Sequence, residues 1–234
     1  MHLPLSKRLQ VCSGFVAPGD RVADIGCDHG YLGIYLLQNN IAASVIAADI
    51  NEMPLQSAIR NAQKFGTKDR MQFFLSDGAK NISRDFDTLI CAGMGADTMI
   101  SILEGAPWLQ SSQYRLILQC QSKTPALRQY LSEKGWRITD EKVLRDSRFL
   151  YTVMETKWEP DYPKLTVGQW YFPPALLINP DPELPEYFDR LLFRLRRALN
   201  GQAEHADPNM LLALQELEND ESLGWLKEMS HDNC

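Results

Sequence analysis

A buried-type strand from Arg21 to Ile25 breaks at Gly26 into a turn, Gly26-Cys27-Asp28-His29-Gly30, and the loop from Asp24 to Gly30 carries two acids, Asp24 and Asp28. Helical spacing follows from His29 to Gln38, with Leu32, Tyr35, Leu36 and Leu37 on one side. A continuous apolar strand needs cover on both faces, and a glycine turn into a helix supplies it on one. The pattern repeats. Ala43–Ala48 reads as a strand ending at Asp49, and Met53–Phe65 as a helix with Pro54 in its first turn and Gly66 as its stop. Further strands are expected at Met71–Leu75, Phe86–Ala92 and Arg115–Gln119, with helices at Leu5–Val16, Thr98–Leu103 and Pro125–Lys134. This alternation predicts an α/β fold with a doubly wound, mostly parallel sheet.

The last two strand-like runs, Trp136–Leu144 and Phe149–Thr156, are separated only by Arg145-Asp146-Ser147-Arg148. Four residues cannot carry a helical crossover, so these runs must pair antiparallel. A parallel sheet closed by an antiparallel last strand is the Rossmann-like arrangement of class I methyltransferases. It assigns residues 1–158 to one domain. From Glu159 to Pro185 the chain holds seven of its 13 prolines, which marks a linker or an arm laid on that domain. Glu186–Asn200, with Phe188, Leu192, Leu195 and Leu199, reads as a helix ended by Gly201. A second helix starts at Asp207-Pro208 and carries Leu211, Leu214 and Leu217 on one face. Residues 159–234 are thus expected to form a small α-helical hairpin or coiled-coil domain.

Net charge is −6 over 234 residues, which looks unsuited to a nucleic-acid partner. Its distribution says otherwise: residues 1–158 hold 18 Lys+Arg against 16 Asp+Glu, and residues 159–234 hold 6 against 14. The candidate basic surfaces are Lys7-Arg8 and a helix face with Arg190, Arg194 and Arg197. Arg196 lies beside them, and acids at Glu216, Glu218, Asp220 and Glu221 offer these arginines internal partners. Five scattered cysteines without a C-x-x-C pair fit neither a disulfide framework nor a zinc site. With no apolar run of membrane-spanning length and no leader-like N-terminus, a cytoplasmic protein without metal or membrane association is expected, acting as a monomer.

The turn also constrains the ligand. Gly26 permits a sharp backbone turn, and the following helix offers free N–H groups. The glycine spacing does not match G-x-G-x-x-G, and acids inside the loop would repel a pyrophosphate. Asp28 suits the ammonium of a methionine moiety, so the loop favours S-adenosylmethionine over a dinucleotide. Asp49, followed by Ile50, stands 23 residues after Gly26, near the offset at which an acid binds ribose hydroxyls. Asp77-Gly78 ends the third strand, where adenine would lie, or forms a simple turn. Gly93-Met94-Gly95 ends the fourth, either as a tight turn or as backbone approaching cofactor and target base. Candidate acid–base groups are Asp28, His29, Tyr31 and Asp97.

Taken together, these segments resemble the bacterial tRNA (adenine-N1)-methyltransferases that modify adenine 22 in the D-arm. The resemblance rests on Leu5-Ser6-Lys7-Arg8-Leu9, the stretch Ala23 to Leu32, Asp77-Gly78, Ala92-Gly93-Met94-Gly95 and Leu116-Ile117-Leu118-Gln119. It implies methyl transfer to N1 of an adenine in tRNA. It also implies cofactor contacts at Asp24, Gly26, Asp28, His29, Asp49, Asp77, Gly78 and Met94, with Tyr31, Ile50 and Gly93 beside them. Asp28 and His29 become the catalytic candidates. The chain departs from the family pattern at Gly30, Gly33, Asp49 and Ala96, and at Cys120-Gln121, where the family has Pro-Asn. A methyltransferase acting on a small molecule or another RNA, or a non-catalytic RNA-binding protein with a degenerate Rossmann domain, stays compatible with the same residues.

Overall fold

The computed structural model describes residues 3, 5–199 and 209–231. Strands β1 (Asp20–Ile25), β2 (Ala42–Asp49), β3 (Met71–Leu75), β4 (Thr88–Met94) and β5 (Arg115–Cys120) lie parallel. They are followed by β6 (Trp136–Asp146) and β7 (Phe149–Trp158), and the sheet order is β3-β2-β1-β4-β5-β7-β6. β7 is antiparallel to both β5 and β6. The expected four-residue connection is only Ser147-Arg148, because the ladder extends to Asp146 and Phe149; Ser147 takes φ 56 to close it.

Helices α1 (Lys7–Gly14), α2 (Tyr31–Gln38), α3 (Glu52–Lys64), α4 (Ala96–Glu104) and α5 (Thr124–Glu133) cover the sheet. Strand alternation sends Ala23 and Ile25 into one apolar layer and Val22 into the other. Asp24 is likewise buried, one of few acids inside. α1 begins at Ser6, whose hydroxyl accepts from the Leu9 N–H at 3.4 Å. α2 starts two residues later than its apolar spacing suggests. Gly30 takes a left-handed φ of 71 at the N-cap, leaving His29 in the turn.

The proline-rich segment is an arm bonded to the sheet domain rather than a free linker. The Glu159 N–H donates to Gly135 O at 2.8 Å, and Lys164 Nζ to Ser132 O at 2.7 Å. It contains a short helix unforeseen in the sequence, α6 (Val167–Tyr171), opened by a Thr166–Gln169 capping box. Helices α7 (Leu184–Leu199), α8 (Asn209–Asn219) and α9 (Gly224–His231) follow. The expected hairpin is therefore incomplete: α9 also packs on α7. Leu211 and Leu199 are 49% and 39% exposed, against expectation, because Tyr187, Leu191, Ala198 and Ala213 fill the inner face. Gly201 and Asp207-Pro208 lie outside the described residues.

These helices share an apolar core with Val143 of β6 and Tyr171 and Phe172 of the arm. Burying each such side chain contributes roughly 1.5–3 kcal/mol, which isolated short helices lack. At the junction Arg128 of α5 and Glu141 of β6 form an ion pair of 2.6 Å, both side chains 0% exposed. Among the described residues no helix is long and apolar enough to cross a membrane.

Candidate active site

Parallel register sets the carboxyl ends of β1, β2 and β4 side by side, with Ile25 opposite Ala48 and Cys91. This edge is where open α/β sheets bind ligands. The turn after β1 is pinned there by two N–H groups, Gly26 and Cys27, which both donate to Ala48 O at 2.8 and 3.0 Å. Asp49 ties this turn to the next: its Oδ2 accepts from the Asp28 N–H at 3.1 Å and its Oδ1 from the Asn51 N–H at 2.9 Å. Asp28 adopts a left-handed φ of 49 and does not cap α2; its carboxylate lies 3.6 Å from His29 Nε2 at the rim.

The cavity at this edge holds about 820 Å³. All eleven residues assigned to the cofactor from the sequence line it: Asp24, Gly26, Asp28, His29, Tyr31, Asp49, Ile50, Asp77, Gly78, Gly93 and Met94. α1 contributes Ser6, Arg8 and Leu9, and α4 contributes Asp97, Thr98, Ser101 and Ile102. Five aspartates thus face a single arginine across the cavity. Burial, reinforced by Asp49, pushes the Asp24 carboxyl up to about 7. A buried acid pair of this kind suits a cationic ligand and opposes a pyrophosphate. S-adenosylmethionine, with its sulfonium and ammonium, fits that donor set. The Cys27 and Cys91 thiols are raised by burial, with Asp24 adding to the effect, so neither is a ready nucleophile.

Gln119 supports the site from within the sheet. Fully buried, its Oε1 accepts from the Gly93 N–H at 3.1 Å and its Nε2 donates to Cys120 O at 3.1 Å. It thereby holds the bulge at Gly93, φ 81, where the β4–β5 register shifts between Ala92 and Met94. Nothing in a lone glutamine after three apolar residues signals this role; the pairing runs across strands.

Met94 lies over Gly26. A Cβ at Gly26, whose φ is 71, would lie well inside the van der Waals contact distance of Met94 Cε. Gly26→Ala should therefore strain the turn and displace Met94 into the cavity. We expect roughly a tenfold loss in S-adenosylmethionine affinity, about 1.4 kcal/mol, measured by calorimetry, with partial recovery in Gly26→Ala/Met94→Ala.

The basic residues separate. Arg8 enters the cavity wall, held by Asp146 at 2.9 Å with its guanidinium 5.2 Å from the Tyr151 ring centre. Lys7 stands outside the cavity, 3.9 Å from Glu183. On α7, Arg190 pairs with Glu186 at 2.6 Å, Arg196 with Glu218 at 2.8 Å, and Arg197 lies over Phe193. Glu216 instead accepts from Thr166 Oγ1 and the Gly168 N–H at the start of α6. Among the described residues no cluster of His, Cys, Asp and Glu is arranged to hold a metal.

The fold and this edge define a methyltransferase domain, and the family model described as "Methyltransferase domain" matches residues 5–154. The chain belongs to that family. Within it, the chain is 33% identical over 154 residues to the tRNA (adenine(22)-N(1))-methyltransferase of Bacillus subtilis (strain 168). That match covers 65% of each protein, so the chain spans just under two thirds of this curated relative's length. The crystal structure of the B. subtilis m1A22 tRNA methyltransferase TrmK superposes with a TM-score of 0.77 at 26% identity, covering 98% of this chain and 100% of that one. Streptococcus pneumoniae Sp1610, solved in complex with S-adenosyl-L-methionine, gives 0.78 at 27% identity over 92% of this chain and 98% of that chain.

Proposed function

We propose that this protein transfers a methyl group from S-adenosylmethionine to N1 of an adenine in tRNA, adenine 22 of the D-arm. The observation that carries the reading is the extent of the structural likeness. The family model ends at residue 154, yet the B. subtilis enzyme superposes on 98% of the chain, so the likeness reaches the C-terminal helices as well. A methyltransferase for small molecules has no need of that C-terminal third.

S-adenosylmethionine, when bound, supplies the methyl group as part of a sulfonium. In this reading Asp24, Gly26 and Asp28 hold the methionine portion and Asp49 the ribose. Asp77-Gly78 and Ile50 face the adenine, while His29, Tyr31 and Gly93 complete the wall and Met94 lies near the point of transfer. Adenine N1 is already a nucleophile, so the protein's task is to align it and to accept the proton that N6 sheds. In this reading Asp28 and His29, which lie 3.6 Å apart at the rim, take up that proton. Residues 1–158 carry the chemistry. Residues 159–234, with Lys7, Arg8, Arg190, Arg194 and Arg197, position the RNA. We further propose a monomer working in the cytoplasm.

Methylation of an unmodified tRNA transcript, with the product mapped by mass spectrometry, tests the reading. N1-methyladenine in the D-arm is expected; a mark elsewhere, or none, overturns it. In the same assay Asp28→Asn should lower kcat by about 100-fold with tRNA KM within a factor of two. His29→Ala should lower kcat by about tenfold.

A further inference from the structure

A second cavity of about 470 Å³ opens where the β5–α5 loop and β7 meet α7. Its wall includes Gln121, Lys123, Tyr151, Tyr187, Leu191 and Arg194. Gln121 lines the cofactor cavity as well, so the two spaces are neighbours across one side chain. Arg8, in the wall of the first, lies over the ring of Tyr151, in the wall of the second. Tyr187 is fixed from behind, since Arg128 Nη2 donates to its hydroxyl at 3.3 Å.

Arg194 is the informative residue. It is exposed, and alone among the four arginines of α7 it makes neither an ion pair nor a ring contact with the described residues. Its neighbours are engaged by Glu186, Glu218 and Phe193. An uncommitted guanidinium beside aromatic rings, in a space sized for one nucleoside, has the parts of a nucleotide subsite.

We propose that this cavity receives a nucleotide of the substrate RNA next to the acceptor adenine, its base against Tyr151 and its phosphate on Arg194. This rests on the proposed tRNA methylation and adds a position to it: the strand crosses Gln121 from one cavity to the other. Cys120 and Gln121, which depart from the family pattern, both border this space.

Steady-state methylation of a tRNA transcript by the full chain tests it, with Arg194→Gln compared against Arg196→Gln. Both remove one charge from the same helix, but only Arg194 lines the cavity. Arg194→Gln should raise tRNA KM about fivefold with kcat and S-adenosylmethionine affinity unchanged. The dependence of log KM on log salt should lose about one unit of slope, as for one lost phosphate contact. Arg196→Gln should move neither. If wild type methylates tRNA and Arg194→Gln matches it, or Arg196→Gln shows the same loss, the subsite is overturned while the activity stands. Wild-type protein that binds S-adenosylmethionine yet methylates no tRNA overturns both.

Discussion

Asp24→Asn should stabilise the ligand-free protein at pH 8 while weakening S-adenosylmethionine binding by at least about 100-fold, the scale of one or two lost charge-assisted hydrogen bonds. The two effects share a cause. Asp24 is 4% exposed beside Asp49, and burial together with that neighbour raises its carboxyl to about 7. An acid raised on folding holds a proton that the unfolded chain has released, so folding stability is greatest below the unfolded value, near 4. It falls as pH rises to about 7. Above 7 the buried charge costs on the order of 4 kcal/mol before relaxation, and asparagine removes that cost. Relaxation leaves a melting increase of roughly 4–8 °C, checked by scanning calorimetry at pH 8. At pH 4 the increase should vanish. A cationic ligand offsets the same charge in the wild type, so binding below pH 7 should release a proton. Affinity should fall about tenfold per pH unit there. A pH-independent affinity between 5 and 7 would place the ligand's cation away from Asp24.

Arg128→Met should lower stability by about 3–5 kcal/mol, the usual result of leaving one member of a buried ion pair alone. Here the consequence is wider than the pair. Arg128 Nε and Nη2 donate to the Glu141 carboxylate, and Nη1 donates to Trp170 O at 3.0 Å and Tyr171 O at 2.7 Å. With Tyr187 included, one guanidinium joins α5, β6, the arm and α7. Its loss strands the Glu141 charge and removes the donor to both arm carbonyls at once. Glu141→Gln should cost less, because the amide still accepts from Arg128, and Arg128→Met/Glu141→Leu should recover most of the deficit. Urea unfolding of wild type, Arg128→Met, Glu141→Leu and Arg128→Met/Glu141→Leu closes the double-mutant cycle. Equal stabilities for Arg128→Met and wild type would mean that the junction relies on the apolar contacts around Val143 and Phe172 instead. Because the arm docks through this residue, tRNA KM should rise in Arg128→Met while S-adenosylmethionine affinity persists.

The methyltransferase-type sheet was legible because its signals are local. Apolar runs of five or six residues, glycine turns and helices of standard spacing recur from Arg21 to Lys134, and a four-residue gap before Phe149 excluded a crossover. The cofactor candidates were legible for a related reason. Each lies at or just past the carboxyl end of a strand, and parallel strands bring those ends to one edge. The C-terminal third was harder. Leu211 has helical spacing with Leu214, yet it is exposed, because which arc of α8 is buried depends on where α6 and α7 lie. α6 opens on a capping box within a proline-rich stretch, and α9 begins at a glycine, so composition argued against both.

By itself the sequence determined the order of elements, the antiparallel close of the sheet and the acids at the carboxyl ends of β1, β2 and β3, since each depends on neighbours within a few residues. Tertiary structure alone decided that Asp24 and Asp49 share one buried space, that Gln119 holds Gly93 and that Arg128 clasps Glu141. It also decided that Arg194, of four similar arginines, is left facing a cavity. The reason is physical: burial and charge pairing depend on distance in space, and residues that meet across strands and helices carry no mark of it along the chain.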